Sequence, residues 1–153
     1  MNIFLMNQEN SNIATIEKIE KIRASLLKPT MKASIQVLVF TLYEKEATSN
    51  NANEFLKFFS YPVVKYYGVE NASENFILKD KEKYFREWKH RYYENIKVEI
   101  GSILSYGKIV EVKVVFDYQL DNGIKQLEGE SKHLLTMEKI NGKYLITSIE
   151  LDN

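Results

Sequence analysis

The carboxy-terminal half of the chain repeats its apolar residues with a period of two, and this pattern most constrains the fold. The clearest run places apolar side chains at every second position, namely at Val110, Val112, Val114, Phe116, Tyr118 and Leu120. Because successive side chains of a strand point to opposite faces, such alternation is typical of a strand with one buried face. The sequence predicts four consecutive strands of this kind, over 92–104, 108–120, 124–138 and 143–151.

Short turn signals lie between these predicted strands and favour antiparallel pairing. They are Tyr106-Gly107, Asn122-Gly123 and Asn141-Gly142. The two Asn-Gly pairs predict type I′ hairpin turns, because both central residues of that turn require a positive φ. Gly101 and Gly129 lie inside two of the strands, where a glycine is typical of a bulge that bends the sheet.

The first thirty residues have the longer apolar spacing of a helix. Apolar side chains recur among Glu and Lys at Ile13, Ile16, Ile19, Ile22 and Leu26. This spacing predicts an amphipathic helix that ends near Lys28, because the residue before Pro29 is disfavoured in a helix. Its apolar stripe needs a partner, so we expect the helix to dock on the rest of its own chain or on another copy.

The segment 31–47 suits two different elements. Its β-branched stretch favours a strand, whereas its length and its polar end favour a helix. We interpret it as a helix. The chain then predicts a short helix over 52–59, a strand over 63–67 ended by Gly68, and a helix from the N-cap residue Ser73 to about Lys89.

Composition excludes several classes of protein. The chain has 153 residues, 21 basic and 21 acidic side chains, and no cysteine. Its length is typical of one compact domain, and its balanced charge disfavours generic binding to nucleic acid or acidic membranes. The absence of cysteine excludes disulfides and thiolate metal sites. The sequence begins without signal-peptide features and has no apolar run near the ~20 residues that span a bilayer, so we expect a cytoplasmic protein.

The order of these parts resembles the nuclear transport factor 2-like family, also called the SnoaL or ketosteroid isomerase-like cone fold. The matching pieces are an aromatic strand ending Tyr66-Tyr67-Gly68, a helix carrying Asp80-Lys81, Tyr84, Trp88 and Arg91, and the long four-stranded meander. The resemblance covers roughly residues 31–151. We therefore divide the chain into an N-terminal extension over 1–30 and a cone domain over 31–153.

The resemblance implies an α+β fold in which helices pack in the concave face of a curved antiparallel sheet and leave an internal pocket. The family includes isomerases, dehydratases and cyclases beside pure binding and dimerisation modules. Its enzymes oppose an acidic or histidine base in the pocket with a tyrosine or a protonated acid. The family also pairs commonly through the outer sheet face, where Ile109 and Val115 are expected, so we predict a homodimer.

Five residues are candidates for the lining of this pocket: Tyr43, Asp80, Tyr84, Trp88 and His133. His133 shares strand parity with Leu135 and Met137, which turns its side chain toward the helices. Gly129 and Ser131 lie on the same predicted face and leave room for a cavity there.

A catalytic set is incomplete in this sequence. Asp117 has the opposite parity to Phe116, which places it on the other sheet face, and no carboxylate of clear inward parity accompanies His133. Each candidate also has a structural explanation, since an inward histidine is more often a hydrogen-bonded core residue and Asp80 more often anchors a backbone group or Arg91. His90 and His133 show no metal-ligand spacing, so neither a metal nor a cofactor is expected.

We therefore expect a non-catalytic cone-fold module that binds a small apolar or amphipathic ligand, or a protein partner. A pocket enzyme of the isomerase, dehydratase or cyclase type, using His or Asp with Tyr, is an alternative. A structural domain in a larger assembly is a second alternative. Neither nucleic acid nor a membrane is an expected partner.

Overall fold

The structure, a computed structural model, describes the backbone of residues 3–152, and all side chains within that range except those of 3–11, 20 and 23–28. The helices are α1 (Ile3–Thr48), α2 (Glu74–Glu87) and two 3₁₀ segments, Ala52–Phe58 and Ser105–Gly107. The strands are β1 (Val63–Tyr66), β2 (Val69–Ala72), β3 (His90–Leu104), β4 (Ile109–Asp121), β5 (Gln126–Ile140) and β6 (Lys143–Leu151). The predicted α+β fold is confirmed.

The strands form a single curved sheet of six strands in the order β2-β1-β6-β5-β4-β3. The meander β3 to β6 is antiparallel throughout, as predicted, whereas β1 joins the sheet by parallel pairing with β6. The α1 helix packs against β3. Its Ile35, Val39 and Leu42 are buried in the same core cluster as the inward residues of β4. Burial of such side chains stabilises the fold by roughly 1.5–3 kcal/mol each.

One of the two predicted Asn-Gly hairpin turns is confirmed. Asn141 and Gly142 have φ values of 51° and 80°, as a type I′ turn requires. The prediction at Asn122-Gly123 is wrong, because Asn122 does not have a positive φ and the loop between β4 and β5 is longer. There the Asn122 side chain accepts hydrogen bonds from the backbone N–H groups of Ile124 and Lys125, which closes a four-residue loop.

Only one of the two glycines expected to form bulges lies at a bulge. The pairing of β3 with β4 shifts register between Ile100 and Ile103, so the bulge predicted at Gly101 is confirmed. The bulge predicted at Gly129 is wrong, because Gly129 pairs in register with Tyr118. A Cβ atom at Gly129 would lie 2.9 Å from the Tyr118 hydroxyl oxygen. The glycine therefore makes room for the Tyr118 ring on the same sheet face.

The β2 strand was not predicted. Tyr67 and Gly68 both have positive φ values, 45° and 85°, and they turn the chain from β1 directly back into β2. A Tyr-Gly pair is a weaker turn signal than Asn-Gly, because a bulky residue rarely adopts a positive φ.

The predicted helix end near Lys28 is also wrong, because α1 continues without a break through Pro29. An interior proline removes one backbone hydrogen bond and costs about 3 kcal/mol. The residues beyond it are buried against the sheet and hold the second part of the helix, so the helical interpretation of 31–47 is confirmed.

The amino-terminal part of α1 carries exposed apolar side chains. Four side chains of the predicted stripe are 45–56% exposed, namely Ile13, Ile16, Ile19 and Ile22. They do not pack on their own chain, which was one of the two expectations for this helix. The Leu26 side chain lies outside the described residues. Among the helices of residues 3–152, none combines the length and apolar composition that a membrane crossing requires.

Candidate functional site

A cavity of about 400 Å³ lies between α2, the turn after β1 and the inner face of β3, β4 and β5. The α2 helix contributes Asp80 and Tyr84 to its wall, with Lys83 and Glu87 exposed at the mouth. The sheet contributes Tyr93, Phe116, Tyr118, Ser131 and His133. The cavity therefore has an aromatic wall with a few polar groups, as is typical of small-molecule sites.

His133 is buried on β5 and lies between two hydroxyl groups. Its Nδ1 is 2.5 Å from the Tyr43 hydroxyl oxygen, and its Nε2 is 3.0 Å from Oγ of Ser131. Burial lowers the pKa of His133 to about 4, with a further lowering from the Lys81 charge against the opposing effect of Glu46. At neutral pH the imidazole is uncharged.

The surroundings of Tyr43 select the tautomer of His133. Tyr43 is buried, and its hydroxyl has no other hydrogen-bond partner among the described residues. A buried O–H without an acceptor is costly, so Tyr43 donates to Nδ1. The proton of the imidazole then lies on Nε2 and is donated to Ser131, which leaves the Ser131 hydroxyl hydrogen free for the cavity.

A buried ion pair lies behind the aromatic wall. The Lys81 ammonium is 2.6 Å from Oε2 of Glu46, and both side chains are at most 10% exposed. Burial alone would raise the pKa of Glu46, but the charge and hydrogen bond of Lys81, with the hydrogen bond from Tyr93, hold it below its usual value. Glu46 is therefore ionised, and its charge is balanced by Lys81.

Two tyrosine hydroxyls extend this network to the cavity. Tyr93 donates to Oε1 of Glu46 at 2.8 Å, and the hydroxyls of Tyr93 and Tyr84 are 2.5 Å apart. Burial raises the pKa of both tyrosines, with the Glu46 charge adding to it, so both keep their protons.

Arg91 holds the end of α1 beside this network. Its guanidinium donates to the backbone carbonyls of Glu46 and Ser49, at 2.8 and 2.5 Å. It also lies 4.3 Å from the centre of the Phe85 ring. These bonds satisfy carbonyls at a helix end, where cations are favoured, and thereby position Glu46.

Asp80 and Tyr67 complete the wall on the side of α2. The Tyr66 hydroxyl donates to Oδ2 of Asp80 at 2.6 Å, so the partner of Asp80 is Tyr66 and the expected contact with Arg91 is absent among the described residues. The Tyr67 ring lies 5.6 Å from the His133 ring, and its hydroxyl has no hydrogen-bond partner among the described residues.

The five predicted site residues are only partly brought together. Asp80, Tyr84 and His133 line the cavity. Tyr43 contacts His133 from behind and is itself buried in the core. Trp88 follows the last residue of α2 and does not belong to the described lining of the cavity. Asp117 is exposed and accepts a hydrogen bond from Asn95, away from the cavity.

Sequence reasoning missed Glu46 and Lys81, although a signal for each was present. Glu46 continues the four- and three-residue spacing of the buried Val39 and Leu42 on α1, and Lys81 lies four residues from both Ile77 and Phe85 on α2. A charged residue on each of two buried helix stripes indicates an internal pair.

A larger cleft of about 900 Å³ lies between α1 and the segment Ser105–Gly107. Its wall includes the exposed Leu104 and Tyr106, and none of the buried polar side chains described above lines it. Among the described residues, no group of three or more His, Asp or Glu side chains lies close enough to hold a metal ion. The aromatic cavity beside His133 is therefore the candidate functional site.

No protein-family model and no curated protein sequence matches the chain. Solved structures do match. A candidate scytalone dehydratase from Novosphingobium aromaticivorans has 14% identity and a TM-score of 0.60, over 85% of this chain and 86% of that one. The association domain of CaMKII from C. elegans has 14% identity and a TM-score of 0.55, over 82% and 97%.

An NTF-2 like protein of unknown function from Shewanella oneidensis has 15% identity and a TM-score of 0.51, over 75% of this chain and 96% of that one. At such identities the likeness concerns the fold, and the proteins that share it have different functions. The curved six-stranded sheet, the helices beside it and these structural neighbours together identify the chain as having the cone fold of the nuclear transport factor 2-like superfamily.

Proposed function

We propose that this chain binds a small organic molecule in the aromatic cavity and does not transform it. The observation that carries this proposal is that Tyr67 and Tyr118 line the cavity and that their hydroxyls have no hydrogen-bond partner among the described residues. They lie beside the apolar side chains of Phe116 and Leu127. Such a wall orients a ligand by a few hydrogen bonds while apolar contact supplies most of the affinity.

The backbone at Tyr67 supports a role in binding. Its φ of 45° places a bulky residue in the left-handed region, which costs of order 1–3 kcal/mol. In return the ring lies against His133 and Tyr66 and forms part of the cavity wall. The two-residue turn between β1 and β2 requires this φ, and the same turn places the Tyr67 ring at the cavity.

The protonation of His133 argues against proton-transfer catalysis. General bases work best when their pKa lies near the working pH, and burial lowers the pKa of His133 to about 4. The only carboxylate buried behind the wall, among the described residues, is Glu46, and its oxygens are already bonded to Lys81 and Tyr93. Neither group is poised to take a proton from a ligand.

Ligand binding can be tested by thermal shift with a library of planar and lipid-like compounds. We expect stabilising compounds whose effect falls in Tyr67→Phe and Tyr118→Phe, while the unliganded variants keep their stability to within about 1 kcal/mol. Tyr92→Phe is the matched control, because Tyr92 is exposed and does not line this cavity. A library without any stabilising compound, or hits that are indifferent to Tyr67 and Tyr118, would contradict the proposal.

An enzyme is the second candidate, since the uncharged imidazole of His133 does line the cavity and one structural neighbour is a candidate dehydratase. Its test is turnover of a library compound that His133→Gln abolishes and Tyr92→Phe leaves unchanged. Such turnover would replace the non-catalytic proposal.

A further inference from the structure

We propose that the ligand of the aromatic cavity carries a protonated amine, held at the mouth by the Asp80 carboxylate and by the hydroxyl oxygen of Tyr84. This inference rests on the proposed small-molecule function and names the chemical class of the ligand. It follows from the direction of the hydrogen bonds around the cavity and from the charges that line it.

The hydroxyl of Tyr84 can only accept a hydrogen bond from a ligand. Glu46 is ionised and can only accept, so the Tyr93 proton points to Oε1 of Glu46. The remaining hydrogen bond, between the two tyrosines, must then use the proton of Tyr84. A ligand group that reaches the Tyr84 oxygen must therefore be a donor.

Asp80 offers a second acceptor on the same wall. Tyr66 donates to its Oδ2 at 2.6 Å, and its Oδ1 has no hydrogen-bond partner among the described residues. Asp80 and Tyr84 are four residues apart on α2, so their side chains lie on the same helix face. An ammonium group, with up to three N–H donors, matches two neighbouring acceptors.

The charges around the cavity favour a cation. Lys83 and Glu87 at the mouth lie 3.9 Å apart and balance each other, which leaves the charge of Asp80. Behind the wall Glu46 and Lys81 balance each other, and His133 is uncharged at neutral pH. The lining of the cavity therefore carries one net negative charge, which the positive charge of Arg91, 5.9 Å from the centre of the Tyr84 ring behind the wall, partly offsets.

The aromatic rings of the wall add to this preference. Tyr67, Tyr84, Tyr93, Phe116 and Tyr118 all line the cavity. The faces of aromatic rings attract cations, and ammonium ions are the ligands that such walls commonly take. Ser131, on the opposite wall, has a free hydroxyl hydrogen and suits an acceptor at the other end of the ligand.

The test compares three probes of one shape by isothermal titration calorimetry at neutral pH: 2-phenylethylammonium, 2-phenylethanol and phenylacetate. We expect the ammonium to bind at least about tenfold more tightly than the alcohol, since an exposed charge pair and a cation–π contact together contribute on that scale. Phenylacetate is expected to bind most weakly. Added salt should reduce the advantage of the ammonium.

Asp80→Asn is the decisive variant, because its amide oxygen still accepts from Tyr66 while the charge is lost. We expect it to bring the affinities for the ammonium and the alcohol to within about threefold. Glu111→Gln is the matched control, since Glu111 is exposed on the outer sheet face and should keep the wild-type preference.

Two results would overturn the inference. Equal or tighter binding of the alcohol or the acid, lost in Tyr67→Phe, would refute the amine while leaving small-molecule binding intact. No binding of any of the three probes would refute the amine as well, and the library screen above would then decide separately whether the cavity binds other compounds.

Discussion

Tyr93 donates its hydroxyl hydrogen to Oε1 of Glu46 across 2.8 Å, and this bond joins the first strand of the meander to the end of α1. Lys81 of α2 contacts the other carboxylate oxygen at 2.6 Å. Three elements that are far apart in sequence therefore meet at one carboxylate. The position of the cavity wall depends on that carboxylate, because Tyr84 is held through Tyr93.

Removal of the Glu46 charge should strongly destabilise the fold. In Glu46→Gln the buried Lys81 loses its counter-ion, and such losses typically cost about 3–5 kcal/mol. Urea unfolding measures the change, with Glu111→Gln expected to stay within about 0.5 kcal/mol of wild type. Glu46→Gln combined with Lys81→Met should regain part of the loss, because no buried charge then remains unpaired. If Glu46→Gln alone is as stable as Glu111→Gln, the buried ion pair between Glu46 and Lys81 is refuted.

His133 should make stability depend on pH. Its folded pKa of about 4 lies below the unfolded value of 6.5, so the unfolded chain takes up the proton first as the pH falls. The uncharged imidazole of His133 contributes about 3 kcal/mol to the free energy of unfolding. This contribution is complete above pH 6.5 and is lost as the pH falls from 6.5 to 4.

The pKa itself can be measured from the imidazole resonances by NMR, with His90→Gln used to assign the second histidine. We expect a midpoint for His133 near pH 4. A midpoint near 6.5 would mean that the imidazole is solvated, and the tautomer assigned to it would then lose its basis.

Gly129→Ala should displace the ring of Tyr118, which lines the cavity. The new methyl group would lie 2.9 Å from the Tyr118 hydroxyl oxygen and 3.1 Å from Cζ, so the ring must move. We expect a loss of roughly 1–3 kcal/mol in unfolding free energy and weaker ligand binding. Tyr118→Phe in the same chain removes the nearest atom and should recover part of the stability. If the double variant is no more stable than Gly129→Ala, the clash lies elsewhere.

The outer sheet face should mediate a two-fold dimer. Val115 lies on that face between Lys97 and Lys132 on the neighbouring strands. A glutamate there could pair with the two lysines in the monomer, whereas in a dimer its charge would be buried. Val115→Glu should therefore leave the free energy of unfolding of the monomer unchanged and abolish the dimer. Sedimentation at micromolar concentration measures the loss of the dimer. Only an 18 kDa species for the wild type would contradict the dimer.

The amino-terminal part of α1 should affect association more than folding. Its four isoleucines are exposed, so deletion of 1–29 removes no contact that these side chains make with the cone. We expect an unchanged melting temperature at low concentration and a smaller oligomer in sedimentation. If neither changes, the segment is a tail without a structural partner. The division into an extension over 1–30 and a domain over 31–153 stays a prediction.

Local patterns were sufficient for most of the elements. Alternation around Val112 and Val114 predicts β4, the N-cap Ser73 begins α2, and Asn141-Gly142 forms the expected turn. Prediction failed where a distant contact outweighed a local preference. The helix passes Pro29 because residues beyond it are buried, and Gly129 stays in register because the ring of Tyr118 occupies its space.

The spacing of apolar residues along each element specifies the α+β class, the antiparallel meander and the inward parity of its strands. Which polar groups meet depends on the tertiary structure. Lys81 and Tyr93 lie 35 and 47 residues after Glu46 along the chain. Both bond to Glu46 because three elements enclose its buried carboxylate. A buried charge must find its counter-ion within the fold, and spacing along a single element cannot specify a partner on another.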